Sequence, residues 1–226
     1  MVDKIKNIVK GVISGTKRKF IDQEIIDKYH NLYYDLGIYQ FIEWEGIKIY
    51  KYPSDILLYQ EIIFKHKPDV IIETGTLYGG SALYFARLFD ILGKGEIITI
   101  DNIKREVPEH PRIKYIISDS TDTNLIHKLK QECRNKTVMV ILDSDHHKEH
   151  VLKEMELYKD LVTVGQYMAV EDGAVGGHPV YKNFGEGPFE AVEEFIKTNK
   201  NFRINKKIEN KFLFSQNTNG YLLKLT

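Results

Sequence analysis

Two segments put acidic residues where a strand should hand over to a loop. VMVILDSDHHKEH runs apolar up to Asp143, and YMAVEDG runs apolar up to Glu171 and Asp172. If the two strands lie side by side, these three carboxylates converge at one edge of a pocket. Clustered carboxylates repel one another unless a cation neutralises them or some take up protons. An all-oxygen set favours a hard ion such as Mg²⁺, with water and substrate oxygens completing its shell. His146 follows Asp143 closely enough in a strand-to-helix turn to face the same pocket, where a neutral imidazole can take the proton from a substrate hydroxyl. Asp143, Glu171 and Asp172 are therefore the expected metal ligands, and Asp143 and His146 the expected catalytic residues. Two other readings stay open. Asp143 or Asp145 caps the next helix while Glu171 or Asp172 sits in a turn, or His146 and His150, at i and i+4, bind a transition metal with a carboxylate as in a non-heme iron oxygenase. The usual scaffold of that last chemistry is all-β. His147 and His150 otherwise read as surface residues.

A second constellation lies upstream in IIETGTLYGGSALYFA, where Glu73 ends an apolar run and Gly75, Thr76, Gly79, Gly80 and Ser81 lead into a helix. Glycines let the backbone approach a ligand and adopt positive φ, and a helix start offers free N–H groups to an anion. The spacing is G-x-x-x-G-G, not the G-x-G-x-x-G of dinucleotide sites, which counts against a nicotinamide cofactor. S-adenosylmethionine carries an ammonium and a carboxylate, and an acidic residue beside a helix start matches both. Asp101, at the end of the next strand, is placed to accept two ribose hydroxyls. Asp119 and Ser120, after the third strand, are placed for the adenine edge. Each of these alone reads as a turn or cap residue; their order across three successive strand ends favours a nucleoside.

These positions require a sheet that presents strand ends to one side. From about residue 69 short β-rich runs alternate with segments of helical period, the pattern of helices covering a mostly parallel sheet. DVIIE (69–73), IITID (97–101), IKYIIS (113–118) and VMVILD (138–143) are apolar enough to be central strands buried on both faces. QYMAVED (166–172) is the next strand, and FRINKKIE and GYLLKLT are expected as a hairpin-like pair at the sheet edge, which makes seven strands. SALYFARLFDIL, HKEHVLKEMELYKDLV and PFEAVEEFIKTN read as helices, the last with Pro188 in its first turn. Residues 1–66 lack this alternation and are rich in aromatics, so they are expected as a helical extension or lid on a domain spanning 67–226. Trp44 and Tyr50 in that stretch suit either a lid wall or core packing.

Composition narrows the partners. The chain of 226 residues has 32 basic and 32 acidic side chains, so nothing in its overall charge points to nucleic acid. Its single cysteine, Cys133, excludes an internal disulfide and suits a reducing, cytoplasmic setting. In MVDKIKNIVKGVISGTKRKF, apolar residues at Ile5, Ile8, Val9, Val12 and Ile13 alternate with lysines at helical spacing. That reads as a surface or subunit-packing helix, with a membrane-touching basic helix as the alternative, and neither a secretory signal nor a membrane span is expected. A homo-oligomer is the expected assembly.

Taken together, PDVIIETGTLYGGSALYFA, ILDSDHHKEHVLKEMELY, VEDG and FGEGPFEAVEEF resemble the cephalosporin hydroxylase family, over roughly residues 44–226. The resemblance implies a Rossmann-like class I methyltransferase fold, so the family's name alone carries no oxidation. The chain is also similar, more distantly, to the metal-dependent macrolide-sugar O-methyltransferases. There an aspartate after the fourth strand and an acidic pair after the fifth hold Mg²⁺, which implies Asp143, Glu171 and Asp172 here, with His146 as the implied base. The resulting expectation is methyl transfer from S-adenosylmethionine to a hydroxyl of a small molecule, with a sugar preferred. Its rivals are a nicotinamide- or iron-dependent oxidoreductase and a non-catalytic protein that keeps the cofactor pocket.

Overall fold

The computed structural model describes residues 22–226; the helix expected over the first twenty residues lies outside them. A helix α1 (Gln23–Asp35), a 3-10 turn (Ile38–Phe41) and a two-stranded hairpin, β1 (Glu43–Trp44) and β2 (Ile47–Lys48), lead into α2 (Pro53–His66). The alternating part follows as β3 (Val70–Thr74), α3 (Gly80–Leu92), β4 (Glu96–Asp101), β5 (Ile113–Ile117), α4 (Thr123–Glu132), β6 (Val138–Leu142), α5 (Lys148–Tyr158), β7 (Tyr167–Val170) and α6 (Pro188–Thr198). The chain closes with β8 (Phe202–Ile204), α7 (Lys206–Glu209) and β9 (Tyr221–Lys224).

The seven-stranded sheet has the order β5-β4-β3-β6-β7-β9-β8, and β9 alone runs against its neighbours. The expected mostly parallel α/β sheet with helices on both faces is therefore present. Strand alternation divides the core. Val70, Ile72, Val138, Val140 and Leu142 face α4, α5 and α6 through Leu129, Met155 and Phe195. Ile71, Ile97, Met139 and Ile141 face α2 and α3 through Tyr59, Ile63, Phe85 and Phe89. Thus α2, grouped above with the N-terminal extension, forms part of the layer that buries the sheet.

Two local expectations need correction. The run IKYIIS is not a central strand: β5 is the sheet's edge, and Ile117 is exposed because no strand lies beyond it. The closing strands pair antiparallel, but β9 is inserted between β7 and β8, so only β8 is at the edge. Within FRINKKIE the chain leaves the sheet after Ile204. There the Asn205 side chain accepts the Ile208 N–H and caps α7, satisfying a donor that a strand would have sent to a ladder.

The crossing from β4–β3 to β6 is the point where strand order reverses, and ligands in open α/β sheets bind at the carboxyl ends there. The first loop, the β6 end and the β7 end all open onto that side.

Candidate active site

A cavity of about 670 Å³ lies over the carboxyl ends of β3, β4, β6 and β7. Backbone strain collects around it: Tyr50, Leu77, Asp172 and Tyr181 line it, and all four are non-glycine residues with φ between 48° and 57°. Such conformations cost free energy and persist where surrounding structure enforces them.

At one end the Gly75–Ser81 loop forms a cradle. Gly75 has φ +85°, and a Cβ added there would stand 1.8 Å from the Asp143 carbonyl oxygen. Gly80 begins α3, and its missing Cβ makes room for the Lys48 carbonyl, so β2 is packed onto the start of the helix. Thr76 is buried, its hydroxyl 2.8 Å from that of Thr99, and Gly79 takes the left-handed conformation that begins α3. The Asp101 carboxylate accepts the N–H groups of Leu77 at 3.0 Å and Ile103 at 2.8 Å, which fixes it at the rim with further lone pairs to spare. Asp119 accepts both the N–H and the hydroxyl of Thr121; these bonds hold its carboxyl below the usual range. Ser120 Oγ is 3.3 Å from His150 Nε2. Asp101, Asp119 and Ser120 all line the cavity, and the open cradle with its helix start fits a nucleoside bearing an amino-acid tail.

Glu73 is different. It is fully buried beneath the loop and accepts the hydroxyls of Ser81 at 2.5 Å and Thr99 at 2.7 Å. Burial raises its pKa to about 7, although Lys51 and the two hydroxyls pull the other way. The structure therefore places Glu73 as a support for the loop and not on the cavity wall.

The acidic end brings Asp143, His146 and Asp172 together, with one ligand atom from each lying within 4.8 Å of the others. His146 Nε2 is 3.2 Å from Asp172 Oδ2 and 4.0 Å from Asp143 Oδ1. Burial works against a charged imidazole, but the neighbouring Asp172 and Asp143 carboxylates outweigh it and raise the pKa. Asp172 Oδ1 accepts a bond from Gln216 Nε2 at 2.8 Å. Glu171 is directed into the protein: Tyr59 donates its hydroxyl to Oε1, and Lys51 Nζ lies 3.1 Å from the same oxygen. Its other oxygen, Oε2, is buried with no hydrogen-bond partner among the described residues. Lys51 also donates to Asp143 Oδ2 at 2.8 Å. Burial would lower the Lys51 pKa, but Asp143, Glu171 and Glu73 together hold it above the usual lysine range. Burial pushes Asp143 and Glu171 upward, opposed in each case by Lys51.

The oxygens of Asp143 and Asp172 fit a hard divalent cation, with the His146 imidazole beside them, and Glu171 behind keeps one oxygen without a partner among the described residues. His150 lines the cavity beside Ser120 and Ser144 instead of lying on the open surface, and it is not part of the cluster with His146. His147 is exposed and paired with Asp145. Trp44 packs edge-on against Tyr84, whereas Tyr50 stacks on Tyr78 in the cavity wall. Lys51, Gln216 and Tyr181 were not singled out from the sequence, whereas Tyr34 belongs to the N-terminal aromatics read as a lid or acceptor wall. The signal available for Lys51 was the acidic cluster itself, which demands a buried cation.

Residues 37–225 match the family described as Rhamnosyl O-methyltransferase/CmcI. A rhamnosyl O-methyltransferase of Mycobacterium tuberculosis is 35% identical over 235 residues, spanning 99% of this chain and 96% of that protein. One from Mycobacterium leprae is 37% identical over 208 residues, covering 88% and 90%. Among solved structures, CmcI with Mg and SAM aligns with a TM-score of 0.66 at 20% identity, over 83% of this chain and 78% of that one, which supports the fold.

Proposed function

The chain belongs to the Rhamnosyl O-methyltransferase/CmcI family, and on that premise we propose that it transfers a methyl group from S-adenosylmethionine to a sugar hydroxyl with the help of a divalent cation. The observation that carries the reading is the convergence of Asp143, His146 and Asp172 on the same cavity as the Gly75–Ser81 cradle. Family relatives named as rhamnosyl O-methyltransferases support the sugar acceptor.

When bound, the cofactor supplies an electrophilic methyl group and the cation supplies positive charge that lowers the pKa of the acceptor hydroxyl. The chain's own residues do the rest. The cradle and the start of α3 receive the amino-acid tail, Asp101 receives the ribose hydroxyls, and Asp119 and Ser120 face the base. Asp143, Asp172 and Glu171 are the residues that would hold the cation. Glu171 is proposed because its Oε1 shares Lys51 with Asp143 while its Oε2 is buried with no hydrogen-bond partner among the described residues. His146 Nε2 accepts the acceptor's proton, and Asp172 at 3.2 Å stabilises the resulting imidazolium. With S-adenosylmethionine bound, its methyl carbon would pass to the acceptor oxygen and its sulfur would leave as a neutral thioether, so holding the two partners in line would be the main contribution of the fold.

The acceptor end is walled by Tyr34, Tyr39, Tyr181 and Phe184. Tyr34 stacks on Tyr39 with centroids 5.3 Å apart and on Tyr181 at 6.1 Å. Flat aromatic faces with polar edges suit the apolar face of a sugar ring. Tyr34 and Tyr39 thus let the described part of the N-terminal segment serve as an acceptor wall on the cofactor-binding domain. A cytoplasmic setting agrees with a free, buried Cys133, and among the described residues no helix is long and apolar enough to cross a membrane. A homo-oligomer remains part of the proposal. Oxygen-rich ligands and the glycine spacing favour methyl transfer over the iron and nicotinamide readings.

The test is transfer of labelled methyl from S-adenosylmethionine to a panel of rhamnosides and other glycosides, with and without chelator. Transfer that stops on chelation and returns with Mg²⁺ is expected. Activity indifferent to chelation would remove the metal from the reading, and no transfer to any glycoside would remove the sugar.

A further inference from the structure

Lys51 has no part in the reaction outlined above, and its position is unusual for its residue type. It lies between β2 and α2, is 1% exposed, and sends its ammonium to Asp143, which lines the cavity. Lysine is almost never buried so completely without ionic partners. Its partners come from the ends of two neighbouring strands: Asp143 Oδ2 at 2.8 Å after β6 and Glu171 Oε1 at 3.1 Å after β7. The Tyr59 hydroxyl donates to that same Glu171 oxygen, and the Tyr59 ring lies 6.0 Å from Nζ.

A buried ion pair is a weak device for stability alone, because an apolar replacement of similar size is often as good. What this lysine changes is the charge of the cluster. Asp143, Glu171 and Asp172 carry three negative charges when ionised, and one fixed ammonium leaves two, the charge that a divalent ion matches. Without the ammonium, three carboxylates would face each other across a few ångströms in a poorly solvated site. The lysine is also tethered, so it fixes the Asp143 and Glu171 side chains where a diffusible ion would leave them free until it arrived.

We propose that Lys51 is a positioning residue acting as the fixed counter-cation of the Asp143–Glu171–Asp172 cluster. It pre-sets two of the carboxylates and limits how tightly a divalent ion is held. The proposal rests on the metal reading given above. A cluster with this built-in positive charge binds its ion reversibly, and removing the charge strengthens the attraction for the ion while leaving the ion-free site strained by repulsion.

The experiment is a Mn²⁺ titration, followed by the paramagnetic resonance signal of free Mn²⁺, on the full chain and on Lys51→Met, Lys51→Gln and Lys51→Arg. Melting temperatures are recorded with and without Mg²⁺. Lys51→Met is expected to bind Mn²⁺ at least about tenfold more tightly, to melt lower without metal, and to gain more from Mg²⁺ than the wild type does. Lys51→Gln, which keeps a donor but not the charge, carries the same expectation and serves if the Met variant does not fold. Lys51→Arg should stay near wild-type affinity. Normal wild-type binding with unchanged or weaker affinity in both neutral variants overturns the proposal alone. No Mn²⁺ binding by the wild type overturns the metal reading and this proposal with it.

Discussion

The carbonyl oxygen of Asp143 occupies the place that a side chain on Gly75 would need, 1.8 Å from its ideal Cβ. The first loop of the cofactor cradle is therefore pressed against the end of the strand that supplies the acidic cluster. Gly75 also sits at φ +85°, which L side chains rarely adopt. Gly75→Ala is expected to lose about 3 kcal/mol of stability and roughly 6–12 °C of melting temperature, and to weaken S-adenosylmethionine and Mn²⁺ binding together. Calorimetric titration with each ligand checks this. A variant that melts normally and loses only one of the two would show that the cradle and the cluster are independent.

His146, 3.2 Å from Asp172, is the side chain proposed to accept the acceptor's proton. His146→Gln keeps a polar group of similar reach but no base. Its turnover should fall on the order of 100- to 10,000-fold, with cofactor affinity within about twofold of wild type. Single-turnover methyl transfer separates the chemical step from binding, and a variant with near-normal single-turnover rate would remove His146 from proton transfer.

The sheet was legible because residues 70–72 and Val138–Leu142 are continuous apolar runs that only a doubly covered sheet can bury. Asp143, which closes the second run, was legible for the same reason and lines the cavity, whereas Glu73, which closes the first, stays fully buried on the Ser81 and Thr99 hydroxyls. What stayed hidden depends on neighbours that local pattern does not encode. IKYII reads as central and lies at the edge because strand order is a long-range property. Glu171 and Asp172 were read as one pair, yet the chain turns after β7 with Asp172 at φ 57°, and only Asp172 lines the cavity. Lys51 meets a partner 92 residues away, and no spacing rule reaches that far.

Glu73 offers a pH-dependent test of how the cradle is supported. Burial raises its pKa from 4.5 to about 7, so the folded protein holds this proton more tightly than the unfolded chain. The stability it contributes is complete below about pH 4.5 and is lost as the pH rises through about 7. Glu73→Gln can still meet the Ser81 and Thr99 hydroxyls but cannot ionise. The stability difference, variant minus wild type, should therefore grow by about 3 kcal/mol between pH 4.5 and 8 and level off above. Urea unfolding at unit pH steps measures it. A difference that stays flat would mean that Glu73 remains charged, held so by Lys51.

Tyr181 tests the aromatic wall. Its ring stacks near Tyr34, it is 51% exposed, and it lies on the loop after β7, so it can contact an acceptor without supporting the core. Removing the ring in Tyr181→Ala should cost an acceptor about 1–2 kcal/mol, a rise in its KM of roughly 5- to 30-fold. Cofactor affinity should not move, because the cradle lies at the other end of the cavity. Tyr181→Phe keeps the face and loses only the hydroxyl, so it should bind the acceptor almost as the wild type does. Initial rates at saturating cofactor and varied glycoside resolve the three proteins. If Phe behaves like Ala, the hydroxyl and not the flat face recognises the sugar, and the stacking account of this wall is wrong.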